Sequence, residues 1–113
     1  MRYTLSSEGI DLSDKLKKYV EKKVKTLDKY ISDHARDSAT LDIHFRYIKP
    51  TDEKEVEFIL VLPQEKIFIK EATSHAYASL DVIIVEVKRR LKAYKEKHEP
   101  AKLRHRLSRN KSI

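Results

Sequence analysis

The chain has no cysteine and no tryptophan, one glycine and three prolines in 113 residues. Without cysteine there is no disulfide framework and no thiolate nucleophile. A single glycine, Gly9, leaves no Gly-rich loop to cradle a nucleotide phosphate. No apolar run approaches the roughly 20 residues of a membrane-spanning helix, and MRYTLSSEGIDLSD lacks the apolar core of a secretory signal. One domain with a modest core is expected at this length. Cytoplasmic residence without membrane association is expected with it.

Chemistry is sparse as well. The five histidines are scattered at 34, 44, 75, 98 and 105, and no pair has metal-ligand spacing with further ligands nearby. No nucleophile motif stands out. Asp42, Glu55 and Glu57 are the one carboxylate group that two adjacent strands would bring together, and solvated acids on a wet sheet face are the commoner case. No catalytic role, metal or cofactor is expected.

What the chain has is positive charge, in one place. The net charge is +7. Residues 1–87 carry 14 Lys and Arg against 16 Asp and Glu, a net −2, and residues 88–113 carry 11 against 2, a net +9. A second concentration lies at residues 15–29, with seven lysines against Glu21 and Asp28. Charge segregated this way is the electrostatic footprint of a polyanion binder, and nucleic acid is the common cytosolic polyanion.

Arg2 to Ser7 reads as a short strand and Gly9 as a turn. Ser13 is placed to cap a helix, with Asp14 favoured at its positive end. Leu16, Val20, Val24, Leu27 and Ile31 recur at steps of three and four, one face of an α-helix. Asp33 to Ser38 reads as a loop. Leu41, Ile43, Phe45 and Tyr47 alternate with Asp42, His44 and Arg46, the pattern of a half-buried strand. Val56, Phe58, Leu60 and Leu62 make another, and Lys66 to Ala72 a third whose inward residues, Ile67 and Ile69 or Phe68, the pattern leaves open. Thr73 or Ser74 caps a final helix with an apolar stripe through Ala76, Leu80, Ile83, Ile84, Val87, Leu91 and Tyr94, ended by Pro100 at the latest.

These elements predict an α+β fold of order β-α-β-β-β-α. It has a four-stranded mixed sheet, the first strand parallel to the second through a right-handed crossover, and both helices packed on one face. That layout resembles a double-stranded-RNA-binding domain. The domain is expected to span residues 1–98. Residues 99–113, AKLRHRLSRNKSI with the preceding Glu99 and Pro100, read as a basic, mobile tail.

At about 100° per residue, Lys15, Lys18, Lys22, Lys25 and Lys29 form a stripe opposite the apolar face of the first helix. An ordinary solvated face mixes Glu and Lys four apart; this one is all lysine, which costs a few tenths of a kcal/mol per like-charged pair. A multivalent anion would offset the repulsion. On the last helix Lys88, Lys92 and Lys95 share one flank, Arg89 lies further out, and Arg90 and Lys97 lie on the other flank. The helix dipole favours cations there by about 0.3–1 kcal/mol each, which accounts for one or two of them. Tyr19, Tyr30, Tyr77 and Tyr94 fall on or beside the apolar stripes as core or rim residues, while Val82 and Val85 fall on the outer side.

Two stretches, YVEKKVKTLDKYI (Tyr19–Ile31) and HAYASLDVIIVEVKRRLKAYKEK (His75–Lys97), resemble the ribosome hibernation-promoting factor and ribosome-associated inhibitor family, also described as sigma factor modulation proteins. Their most specific parts are the run Tyr77 to Asp81 and the pattern Arg89-x-Leu91-Lys92-x-x-Lys95-Glu96-Lys97. The resemblance covers roughly residues 2–98. It implies a monomer that binds the small ribosomal subunit, its ribosomal RNA and ribosomal proteins, in the cleft between head and body. There it would compete with mRNA and with A- and P-site tRNA, so that translation stops and idle ribosomes are preserved. By residue match Lys22, Lys23, Arg89, Lys92, Lys95 and Lys97 inherit an RNA-contacting role. Lys15, Lys18, Lys25, Lys29, Lys88 and Arg90 join them on charge alone, and the tail, with Arg104 and Arg106, is expected to follow the RNA as an arm. Thr73, Ser74 and His75 stand where the family usually carries acids. The chain is too short for the extra domain by which long forms pair ribosomes, so pairing would need another factor.

Two other readings belong beside this one. A generic double-stranded RNA binder wants lysines at the start of the last helix, where only Lys70 precedes Ala76. A module that modulates a transcription factor predicts binding that nuclease leaves intact.

Overall fold

A computed structural model describes residues 1–98; the expected tail, with Arg104 and Arg106, lies outside the described residues. The elements are β1 (Arg2–Glu8), α1 (Asp14–Asp28), α2 (Asp33–Arg36), β2 (Thr40–Ile48), β3 (Glu53–Leu62), β4 (Glu65–Thr73) and α3 (Ala76–His98). The strands form one sheet in the order β1-β2-β3-β4. β1 runs parallel to β2, and the β2–β3 and β3–β4 pairs are antiparallel. This is the expected α+β architecture with one addition. The stretch read as a loop holds α2, a single turn started by Ser32, whose Oγ accepts from the Ala35 amide at 3.4 Å. A four-residue helix is too short to show a 3.6-residue period.

Alternation sorts each strand's side chains to two faces. Leu41, Ile43, Phe45, Val56, Phe58 and Leu60 are buried on the helix side. Register settles β4: Ile69 lies opposite Phe58 and Ile67 opposite Leu60, so both point inward and Phe68 is left 47% exposed on the other face. From the helices come Leu16, Val20, Val24 and Leu27 of α1 and Leu80, Ile83, Ile84, Val87 and Leu91 of α3. The two layers close one core.

The corners are built by local chemistry. Gly9 has φ +72 and its Cα faces the Tyr47 side chain, so a Cβ there would sit 3.1 Å from Tyr47 Cβ. Ser13 caps α1 as expected, its Oγ accepting from the Leu16 amide at 3.2 Å. At α3 neither Thr73 nor Ser74 stands at the cap position: the helix starts at Ala76 and His75 precedes it, its carbonyl accepting from the Ser79 amide at 3.0 Å while Thr73 Oγ1 accepts from the His75 amide at 3.2 Å. Ser79, fully buried, reaches across to β3 and donates to the Lys54 carbonyl at 2.7 Å. At the far end Tyr94 donates to the Pro63 carbonyl at 2.7 Å, and His98 meets Glu65 at 2.9 Å. These contacts tie α3 to the β3–β4 turn. No helix among the described residues is long and apolar enough to cross a membrane.

Candidate nucleic-acid interface

Packing dictates where the lysines go. Because Leu16, Val20, Val24 and Leu27 are turned to the sheet, Lys15, Lys17, Lys18, Lys22, Lys25 and Lys29 are left exposed on the outer side of α1. Lys25 pairs with Glu21 at 3.2 Å; Lys15, Lys17, Lys18, Lys22 and Lys29 carry no ion pair among the described residues. Lys17 is an addition to the expected set. It sits about 120° round the helix from the centre of the stripe, on the flank of Asp28.

α3 divides its cations into two kinds. Glu86 holds Arg89 (Nε to Oε2 3.0 Å) and Arg90 (Nε to Oε1 3.4 Å), the i,i+3 and i,i+4 neighbours on the helix. The Arg89 hydrogen bond and charge, with smaller help from Arg90, bring the Glu86 carboxyl down to about 2. Lys92, Lys95 and Lys97 have no such partner among the described residues. Lys88 Nζ lies 5.4 Å from the centre of the Tyr30 ring, over its face.

A seam joins the two helices. Tyr19 and Tyr77 meet edge to face with ring centres 4.9 Å apart. The Tyr19 hydroxyl donates to Asp81. Lys23 Nζ lies 3.7 Å from the same carboxylate and 5.1 Å from the Tyr19 ring centre. The hydrogen bond to Asp81 and partial burial push the Tyr19 phenol up to about 12. Tyr30 and Lys88 complete the seam further along. The contacts run 19 to 77, 23 to 81 and 30 to 88, so α1 and α3 lie side by side and point the same way. Past Lys88, α3 continues to His98, about 15 Å at 1.5 Å per residue, and carries Lys92, Lys95 and Lys97 beyond α1.

Of the expected contact residues, the structure brings Lys15, Lys18, Lys22, Lys25, Lys29, Lys88, Lys92 and Lys95 to one helical surface, on the side away from the sheet. Lys23 is half-buried and engaged by Asp81. Arg90 and Lys97 flank Glu86 on the far side of α3 by helical spacing. Arg104 and Arg106 lie outside the described residues. Residue-by-residue reading missed the seam. Tyr19 and Asp81 are 62 positions apart, and nothing local to either announces the other.

The opposite face is different in kind. Its polar side chains answer one another across strands: Arg46 pairs with Glu55 at 3.0 Å and Lys70 with Glu57 at 3.9 Å, and the His44 ring lies 3.9 Å from the Glu8 carboxylate. His44 Nδ1 also lies 2.7 Å from Ser6 Oγ, and Thr4 donates to Asp42. The expected solvated acids are thus partnered, and the Glu55 side chain is buried, 8% exposed. No three His, Cys, Asp or Glu side chains among the described residues are grouped to hold a metal ion.

The chain is thus an α+β domain whose helical layer carries a row of lysines without ion pairs among the described residues. The comparisons make it particular: the chain belongs to the sigma 54 modulation protein / S30EA ribosomal protein family, whose model matches residues 3–99. A curated relative, the ribosome hibernation promotion factor of Lactococcus lactis subsp. cremoris (strain MG1363), is 24% identical over 97 residues, 84% of this chain. The match takes in 50% of that relative, so the chain spans about half its length. Among solved structures, the Thermus thermophilus Protein Y N-terminal domain superposes with TM-score 0.70 at 21% identity, over 80% of this chain and 93% of its own. A ribosomal subunit interface protein from Coxiella burnetii superposes with TM-score 0.69 at 24% identity, over 84% and 98%. At these identities the two structures establish the fold.

Proposed function

We propose that this protein is a ribosome hibernation factor. It binds the small ribosomal subunit in the decoding cleft, occludes the mRNA path and the A and P tRNA sites, and so silences translation and preserves idle ribosomes. One observation carries the reading: a chain of this family presents Lys15, Lys18, Lys22, Lys29, Lys92 and Lys95 on one helical surface, with no ion pair to any of them among the described residues. Lysine suits ribosomal RNA, which is bound largely through phosphate position and backbone shape. The names of the relatives agree with that partner. The working unit is residues 1–98, a monomer in the cytoplasm without catalytic activity, and Arg104 and Arg106 extend its contacts.

The test is co-sedimentation of the protein with small subunits at physiological salt, with and without mRNA plus initiator tRNA. Saturable one-to-one binding that the competitors displace is expected. Binding no tighter than to a plain RNA duplex would leave a generic RNA-binding domain instead.

A second reading, a protein-interaction module, draws on α3's outer side, where Val85 is 71% and Val82 47% exposed. It predicts complexes that survive nuclease and respond weakly to salt.

A further inference from the structure

Asp81 is out of place on a surface for phosphates. By helical spacing Asp14, Glu21, Asp28 and Glu86 all point away from the seam between α1 and α3. Asp81 sits on it, its side chain 48% exposed. An anion there repels an incoming phosphate, so an optimised polyanion binder would be better without it unless it does something else.

The geometry points to a positioning role that sets selectivity: Asp81, with Tyr19 and Lys23, fixes the spacing and orientation of the two lysine-bearing helices for one RNA shape, at the expense of affinity for RNA in general. Three contacts converge on it or its partners. The Tyr19 hydroxyl donates to its carboxylate, Lys23 approaches the same carboxylate at 3.7 Å, and Tyr77, one turn before it on α3, packs edge to face on Tyr19. Each helix is anchored to the sheet by its own apolar stripe, but such packing allows small sliding and rotation. A charge-assisted hydrogen bond between the helices has a preferred direction as well as a distance. Lys23 is drawn into the seam by the same carboxylate, which leaves the outward lysines of α1 and α3 as the phosphate contacts. A flexible polyanion can adjust to either spacing of those lysines, whereas a rigid RNA surface cannot.

The inference rests on the small subunit being the target, and its test keeps the two apart. Dissociation constants are measured for the wild type, Asp81→Asn and Tyr19→Phe, against isolated small subunits and against single-stranded poly(U), at one salt concentration. Thermal melts confirm that each variant is folded. Asp81→Asn, whose amide oxygen can still accept from Tyr19 but without charge assistance and without the pull on Lys23, is expected to tighten poly(U) binding while weakening subunit binding by about three- to tenfold. Tyr19→Phe, which changes no charge at neutral pH, is expected to lower the ratio of subunit to poly(U) affinity in the same direction. If Asp81→Asn tightens both ligands by the same factor and Tyr19→Phe moves neither, Asp81 is only a misplaced charge and the inference falls. Wild-type protein that ignores small subunits removes the functional reading itself, and this is seen before any variant is compared.

Discussion

The two faces of this molecule treat charge in opposite ways. On the open face of the sheet, Arg46, Lys70 and His44 each meet a carboxylate on the neighbouring strand. On the helical layer, the lysines of α1 and the C-terminal half of α3 stand mostly without one among the described residues. Both faces cover the same core and are drawn from the same residue types. The difference is therefore not one of stability, since exposed ion pairs contribute little and like-charged lysine rows cost little. It is a difference in pairing: on the sheet face Arg46, Lys70 and His44 stand beside carboxylates, whereas among the described residues Lys15, Lys18, Lys22 and Lys29 of α1 and Lys92 and Lys95 of α3 do not. On the proposed function, RNA supplies their complement.

Charge reversal exposes that contrast most strongly. On the proposed function, changing Lys22, Lys92 and Lys95 together to Glu would remove three phosphate contacts and add three repulsions. A loss of about 100- to 1,000-fold in affinity for small subunits is expected, read by sedimentation or fluorescence anisotropy. Reversing Lys66 and Lys70 on the sheet side should change it by less than about threefold. Equal losses on the two faces would erase the distinction.

The converse experiment works on stability. Arg46→Ala leaves the Glu55 carboxylate buried without its partner across β2 and β3. A loss of about 1–3 kcal/mol is expected in urea unfolding, recovered in part by adding Glu55→Gln, with subunit affinity unchanged.

Much of this was legible from the sequence, and the limits have physical causes. The strict alternation from Leu41 to Tyr47 and the three-four rhythm from Leu16 to Ile31 locate β2 and α1, because burial on one face imposes the period. Ser13 and Gly9 mark the ends because their local chemistry is short-range. The inward face of β4 was open because Ile67, Phe68 and Ile69 are apolar on both parities; only the register opposite Phe58 and Leu60 decides it. The lysine rows could be placed on faces, but not the Tyr19–Asp81 seam between them. Nor could Glu55's burial be read, since it depends on an arginine on the adjacent strand.

A smaller effect is expected where the two regions are joined. Gly9 links the sheet edge to α1 at φ +72 with the Tyr47 Cβ 3.1 Å from any added methyl. Gly9→Ala should cost about 1–2 kcal/mol, seen as a lower thermal midpoint, while affinity measured well below that midpoint stays within about twofold of wild type.

The smallest expected effect is the pH dependence of the seam. The Tyr19 phenol rises from 10.0 to about 12 in the folded chain, so folding favours the protonated form. Its contribution is fully present below pH 10 and is lost as pH rises toward about 12. The stability gap between wild type and Tyr19→Phe should therefore narrow over that window in urea titrations. A gap that stays constant would mean the phenol is no better held in the fold than in the unfolded chain.

The central claim, that RNA phosphates complete the helical face, is tested most directly by the salt dependence of wild-type binding to small subunits. If about eight phosphates are contacted, log affinity should fall against log salt with a slope of roughly −6 to −7. A slope shallower than about −2 would mean that few phosphates are met, and would contradict the account.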